Sequence, residues 1–308
     1  MGRMVASIDF GTNTARLLIA EIQSDGCFSH VHVEREIVRM GGGFCRENGL
    51  SPEAVARGKA CLARFAGIMQ QYGVNSVNAV ATSAVRDAVN GAAFVEDIIS
   101  ATGIRLNVID GEKEARLTLA GVLCGLDQQH PDILLFDIGG GSTEYSLVRQ
   151  GQIEFSSSLP LGVVRLTEGK VTVEAMRDKI SRELAMLANA IERSGHAVHP
   201  EAVLIGTAGT ATTLAAINMR MVDYDYRKVN NSIVTRNDID SIYARLLPLT
   251  PQERLATTPG LEKGREDLII AGMLITMQTM EKFALSYMKV SDYGLLEGLV
   301  VRGEAELA

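Results

Sequence analysis

The chain has 308 residues, 46% hydrophobic and 22% charged, the balance of an ordinary soluble globular protein with room for two domains. No apolar run approaches the roughly 18 residues of a membrane span, and a formal net charge of −7 argues against sequence-independent nucleic-acid binding, which needs an electropositive face. Cys27, Cys45, Cys61 and Cys124 lie far apart with no C-x-x-C pair, so neither structural zinc nor a disulfide framework is expected.

The first residues pass directly into a strand pattern, and a cytoplasmic, unprocessed protein is expected. Residues 5–22 read as strand, polar glycine turn, strand, with Asp9, Gly11, Thr12, Asn13 and Thr14 around the turn. Residues 41–43 form a glycine loop with no assigned chemistry. Ser51 and Pro52 open a helix as N-cap and first helical residue, and Val55, Leu62, Phe65, Met69 and Tyr72 share its apolar face. A buried strand at 78–82 delivers Ser83 and Arg86 at its C-terminal end, where α/β proteins keep ligands. Arg86 is there either a phosphate clamp or a solvated surface arginine. A strand at 104–109 leads to Asp110, the cap of a helix reaching about Leu123. Glu114 in its first turn either complements the helix dipole or polarises an attacking water.

A polar, proline-containing break at 128–132 precedes Phe136-Asp137-Ile138-Gly139-Gly140-Gly141-Ser142-Thr143-Glu144, which is again strand, glycine turn, strand. Its glycines let backbone N–H groups crowd against an anion, while Asp137 and Glu144 can hold a divalent cation. The repeated Asp-x-Gly hairpin predicts two lobes on one plan, with the change of lobe at about 118–131. Residues 153–158 alternate as a strand, and from Glu174 onward Met176, Ile180, Leu184, Leu187 and Ile191 mark an amphipathic helix. A strand at 202–205 runs into Gly206, Gly209 and Thr210, small residues at a helix start that either admit phosphate or nucleoside or simply pack closely. No P-loop motif occurs. Residues 223–236 read as polar and irregular. A helix then follows from Asn237, a long apolar helix at 268–283, a last strand at 288–291 and a last helix at 294–302.

With both hairpins, the Thr82-Ser83-Ala84-Val85-Arg86-Asp87 segment and the Gly111-Glu112-Lys113-Glu114-Ala115-Arg116-Leu117 helix start in view, the chain resembles the exopolyphosphatase and guanosine pentaphosphate phosphohydrolase family. The resemblance runs from Asp9 to Leu299. It implies an α/β fold of two ribonuclease H-like lobes of the actin, sugar-kinase and Hsp70 type, with a cleft between them. The lobes would be residues 1–120, completed by a C-terminal helix at about 298–308, and residues 121–297. The implied activity is release of orthophosphate from the terminal phosphoanhydride of inorganic polyphosphate, of guanosine pentaphosphate, or of both. Glu114 is implied as the base that orients water. Phosphate would be held by Asp9, Gly11, Thr12, Asn13, Thr14, Arg16, Arg86, Gly139, Gly140, Gly141, Ser142 and Arg265. Asp9, Asp137 and Glu144 would position magnesium, and Gly206, Gly209 and Thr210 form the nucleoside-side turn. A homodimer, with no membrane or nucleic-acid partner, is implied as well.

The sequence departs from the family at two places. Val229-Asn230-Asn231 stands where many relatives have Val-His-Gly, and Leu296 stands where they have arginine, which touches substrate selectivity. Longer relatives add a helical C-terminal region, so processive digestion of very long chains is not among the expectations. Two other classes compete: a small-molecule kinase of the same superfamily, which would need a phosphate acceptor, and a nucleotide-dependent sensor or assembly protein, which would carry long interface insertions.

Overall fold

The computed structural model describes residues 2–24, 26–44, 47–169 and 172–307; Cys45, named above, lies outside them. The chain divides into two compact units, residues 1–121 with 294–308, and residues 122–293.

The first unit begins with an antiparallel meander, β1 (Arg3–Phe10), β2 (Thr14–Ile22) and β3 (Phe28–Ile37). Helix α1 (Pro52–Gln71) follows, opened by Ser51, whose hydroxyl accepts the Ala54 N–H at 3.2 Å. Its buried residues include Leu62, Phe65 and Met69, whereas Tyr72, expected on that face, is the exposed C-cap. Then come β4 (Ser76–Ala81), α2 (Ser83–Arg86), α3 (Gly91–Thr102), β5 (Leu106–Val108) and α4 (Gly111–Gly125). Among the described residues the sheet order is β3-β2-β1-β4-β5, with β4 and β5 parallel to β1. Alternation along β1 and β2 sends Ile8, Phe10, Leu17 and Ile19 to one face, where they pack with Leu62 and Phe65 of α1 and with Phe94 and Ile98 of α3.

The second unit repeats the plan. β6 (Asp132–Ile138), β7 (Thr143–Arg149) and β8 (Gln152–Leu159) form its meander. α5 (Val163–Gly169), α6 (Val173–Arg193), β9 (Val203–Thr207) and α7 (Ala208–Asn218) follow. The segment expected to be irregular holds α8 (Tyr226–Val229) and β10 (Ile233–Thr235), because Asp225 caps a short turn and β10 finds a partner in the last strand. After α9 (Arg236–Leu246), α10 (Pro251–Thr257) and α11 (Ile269–Lys282) comes β11 (Tyr287–Val290). Among the described residues this sheet runs β10-β11-β9-β6-β7-β8. One face carries Leu134, Phe136, Tyr145, Leu147, Leu204 and Met288 into the apolar cluster with α6, α7, α9 and α11.

The final helix, α12 (Leu295–Leu307), belongs to the first unit. Leu295, Leu296 and Leu299 cover the other face of its sheet against Val5, Leu18 and Val80. Both units are thus α/β layers, as expected. Among the described residues no helix is long and apolar enough to cross a membrane.

Candidate active site

In the first unit the hairpin between β1 and β2 closes with the Gly11 N–H donating to Thr14 O at 3.0 Å. Segment 38–41 takes up the carbonyls of its two-residue turn: Val38 and Arg39 N–H donate to Asn13 O at 3.0 and 2.9 Å, and Gly41 N–H to Thr12 O at 3.0 Å. That leaves the N–H groups of the turn, not its carbonyls, as the groups that can meet an anion. One pair back along the strands Asp9 lies opposite Arg16. The guanidinium donates to Asp9 Oδ2 from Nε at 3.2 Å and from Nη2 at 2.9 Å.

The C-terminal ends of β4 and β5 bring in the rest. The hydroxyls of Thr12 and Ser83 share a hydrogen bond of 2.8 Å, which ties the turn to the start of α2. Asp110 caps α4 through its Oδ1, which accepts the Lys113 N–H at 2.8 Å. Glu114 is thereby fixed in the first turn and is only 7% exposed. A carboxylate that far from water needs a cationic neighbour, and Arg86 supplies it, with Nη1 3.5 Å from Glu114 Oε2 and 3.1 Å from the Ile109 carbonyl. Glu114 is thus buried at the strand ends, with Arg86, whose side chain is 25% exposed, beside it.

In the second unit the hairpin between β6 and β7 has the same closure, with Gly139 N–H donating to Ser142 O at 3.0 Å. Its carbonyls are again taken from behind, Gly139 O by Val163 N–H at 3.0 Å and Gly140 O by Val164 and Arg165 N–H at 3.0 and 3.2 Å. Asp137 lies opposite Glu144, and both are buried, at 9% and 5% exposed. Directly opposed residues share a sheet face, so this is a pair of carboxylates side by side. Ser158, opposite Glu144 on β8, donates to its Oε1 at 2.8 Å. Next to β6, strand β9 ends at the Gly206 turn, where Thr207 donates to Tyr293 O at 3.0 Å and Ala208 sits at a φ of 62°. A left-handed alanine costs about 1 kcal/mol or more, a strain that gathers at functional turns. The guanidinium of Arg265 lies over Gly209 and is held by Glu262 at 3.0 Å.

The first unit thus collects Asp9, Gly11 to Thr14, Arg16, Arg86 and Glu114, and the second collects Asp137, Gly139 to Ser142, Glu144, the Gly206 turn and Arg265. Ser83 stands at the strand end where the sequence places it, tied to Thr12; sequence reasoning misses two neighbours, Ser158 and Arg35, which lies opposite Arg16 on β3. Among the described residues no group of three or more His, Cys, Asp or Glu is arranged to hold a metal ion. A hard cation of the magnesium kind, however, is commonly bound through one or two carboxylates with water and substrate oxygens completing its shell. Asp137 and Glu144 supply such a pair, while Asp9 is engaged by Arg16.

Residues 18–306 match the family model described as the Ppx/GppA phosphatase family. The chain belongs to that family. It is 32% identical over 312 residues to exopolyphosphatase 2 of Mycobacterium tuberculosis, covering 96% of this chain and 97% of that protein. It is 33% identical to a bifunctional 3-dehydroquinate synthase/phosphatase of Fusobacterium nucleatum, and there it spans only 46% of the longer protein. Among solved structures, an exopolyphosphatase from Cytophaga hutchinsonii superposes with a TM-score of 0.89 at 27% identity, covering 97% of each chain.

Proposed function

We propose that this member of the Ppx/GppA phosphatase family is an exopolyphosphatase, hydrolysing the terminal phosphoanhydride of inorganic polyphosphate with release of orthophosphate. The observation that carries the reading is Glu114: a buried carboxylate in the first turn of α4, set beside Arg86 and at the strand ends where hairpin N–H groups gather. Relatives named exopolyphosphatase over nearly the full chain support it.

In this reading Glu114 orients a water and takes its proton as the water oxygen bonds to the terminal phosphorus. The bond from that phosphorus to the bridging oxygen breaks, and the oxygen leaves on the shortened chain. Phosphoryl transfer asks mainly for positioning and charge stabilisation. Arg16, Arg86 and Arg265 would contact phosphate oxygens, as would the turn N–H groups at Gly11 to Thr14 and at Gly139 to Ser142. Asp137 and Glu144 are the residues that would hold a divalent cation, magnesium by preference, which when bound neutralises phosphate charge. The Gly206 turn, with Gly209 under Arg265, would lie on the nucleoside side.

The deciding test is Glu114→Gln, assayed for phosphate release from polyphosphate and from guanosine pentaphosphate, which ends in the same anhydride. Turnover should fall by about 10²- to 10⁴-fold while binding of polyphosphate persists. Turnover close to that of the native chain would sink the assignment of Glu114. Faster turnover of guanosine pentaphosphate than of polyphosphate would make the alarmone the substrate.

A further inference from the structure

Residues 291–293 follow β11 without regular structure, yet Ser291 is fully buried. The backbone polar groups of such a segment need partners from elsewhere in the chain. The Ser291 N–H donates to Gly206 O at 2.8 Å. The Tyr293 carbonyl accepts the hydroxyls of Ser291 at 2.7 Å and of Thr207 at 3.0 Å. The Asp292 N–H goes to Asn230, whose Oδ1 accepts it at 3.0 Å, while Tyr224 bonds the Asp292 side chain.

Asn230 does not act alone. Its Nδ2 donates to Gly125 O at 2.8 Å, and Asn231 Nδ2 donates to the same carbonyl at 2.9 Å. Asn231 Oδ1 accepts the Asp127 N–H at 3.2 Å. Both amides are thus used at both ends, a satisfied network of the kind that fixes one arrangement. Asn231 sits at a φ of 66°, a conformation that asparagine tolerates and glycine adopts freely. The two residues differ in one respect: the Asn231 side chain stops at residues 125–127, whereas that of Asn230 reaches on to Asp292.

The turn at the other end of these bonds is strained, with Ala208 at a φ of 62°. Such residues persist only where their surroundings over-determine them. Gly206 and Thr207, just before Ala208, are the residues bonded to 291–293. Gly209, just after it, lies under Arg265, so close that a Cβ there would meet Nη1 at 2.0 Å. Relaxation of the turn to right-handed backbone would therefore move the surface on which the guanidinium rests.

We infer that Asn230 is a positioning residue: through Asp292 and Tyr293 it holds the left-handed turn at Ala208 and with it the seat of Arg265, so that the guanidinium meets substrate oxygens at a fixed place. The part assigned to Arg265 rests on the polyphosphate reading above.

The experiment compares Asn230→Ala with Asn231→Gly in the full chain. Each variant loses two side-chain bonds, one of them to Gly125 O, and both should lower Tm by similar amounts. Only N230A releases the Asp292 N–H. It should raise KM for polyphosphate by about tenfold with kcat retained, while N231G keeps the native KM and kcat. Thr207→Val cuts the same chain of bonds one step later and leaves both asparagines in place. It should reproduce the KM of N230A, and it stands in for that variant should N230A not fold. In an Arg265→Gln background N230A should add no further loss, because effects that run through one residue are not additive. Amide hydrogen exchange gives a readout independent of turnover: peptides covering 204–214 should exchange faster in N230A and T207V than in the native chain, and at the native rate in N231G. An unchanged KM in N230A and T207V, an equal rise in N231G, or a full further loss in the R265Q background overturns the inference. Should the native chain release no phosphate from polyphosphate, or R265Q leave KM unaltered, the reading of Arg265 fails and exchange decides alone: native exchange of 204–214 in N230A and T207V refutes the positioning role.

Discussion

The two Asp-x-Gly hairpins share a backbone and differ in what stands across from the aspartate. Each closes a two-residue turn with a glycine N–H bonding a carbonyl three residues on, at 3.0 Å in both, and in each the segment after the third strand bonds carbonyls at the hairpin end, those of Thr12 and Asn13 in the first and of Gly139 and Gly140 in the second. Asp9 faces Arg16, however, and Asp137 faces Glu144. Extending the rows one strand outward gives Arg35 in the first unit and Ser158 in the second. The same scaffold therefore sets its aspartate against a guanidinium in one unit and against a second carboxylate in the other. The charge that such an Asp-x-Gly hairpin presents is decided by one cross-strand neighbour, not by its glycines.

That comparison breaks most visibly at the neighbour itself. Glu144→Gln should lower kcat/KM for phosphate release by about 100-fold and raise the magnesium concentration needed for half-maximal activity. In metal-free buffer it should leave Tm unchanged or slightly raised, because one of two opposed carboxylates loses its charge. Arg16→Gln should have the opposite sign in stability. It strands Asp9, whose side chain is 13% exposed, and the loss of a charged hydrogen-bonded partner costs about 2 kcal/mol, readable as a lower midpoint in urea. Equal shifts in the two variants, or an unaltered magnesium dependence in Glu144→Gln, would show that the pairs are equivalent after all.

Much of this arrangement is legible in the amino-acid sequence. The Asp9 and Asp137 hairpins, the cap at Asp110 and the helix start at Glu114 follow from short-range rules, since glycine turns and N-caps are written within four or five residues. The buried face of α6 is legible from its spacing for the same reason. Arg35 and Ser158 are not. Counting back from each meander turn without a bulge places Glu34 opposite Arg16 and Ser157 opposite Glu144. The shifts at Ile19/Ala20 and at Leu147/Val148 move both partners by one residue, and no local sequence signal marks where a strand accepts an extra residue. Strand β10 escapes as well, because its three residues are ordered by β11, more than fifty positions later. The contact between Arg86 and Glu114 depends on β4 and β5 lying side by side, so each residue can be suspected from its own strand end but the two cannot be paired.

The weakest expected effects test whether the turns themselves are equivalent, and one glycine behind them is the exception. A Cβ at Gly11 would meet Thr14 O at 3.1 Å, and one at Gly139 would meet Ser142 O at 3.2 Å. Each carbonyl must give by a few tenths of an ångström, and the reduced freedom of the unfolded chain offsets part of the strain, so both alanine variants should stay within about 1 kcal/mol of the native chain. Gly162 stands just before α5, and its Cβ would come within 2.1 Å of Gly140 O and 2.3 Å of Gly141 C. These are backbone atoms in the turn, with no flexible end to move aside. Gly162→Ala should therefore cost about 3 kcal/mol, an overpacking penalty, and displace the turn that Val164 and Arg165 support from behind. Urea denaturation of the three variants ranks them, and if Gly162→Ala proves as mild as the other two, the second turn is not braced by close backbone packing and its likeness to the first rests on hydrogen bonds alone.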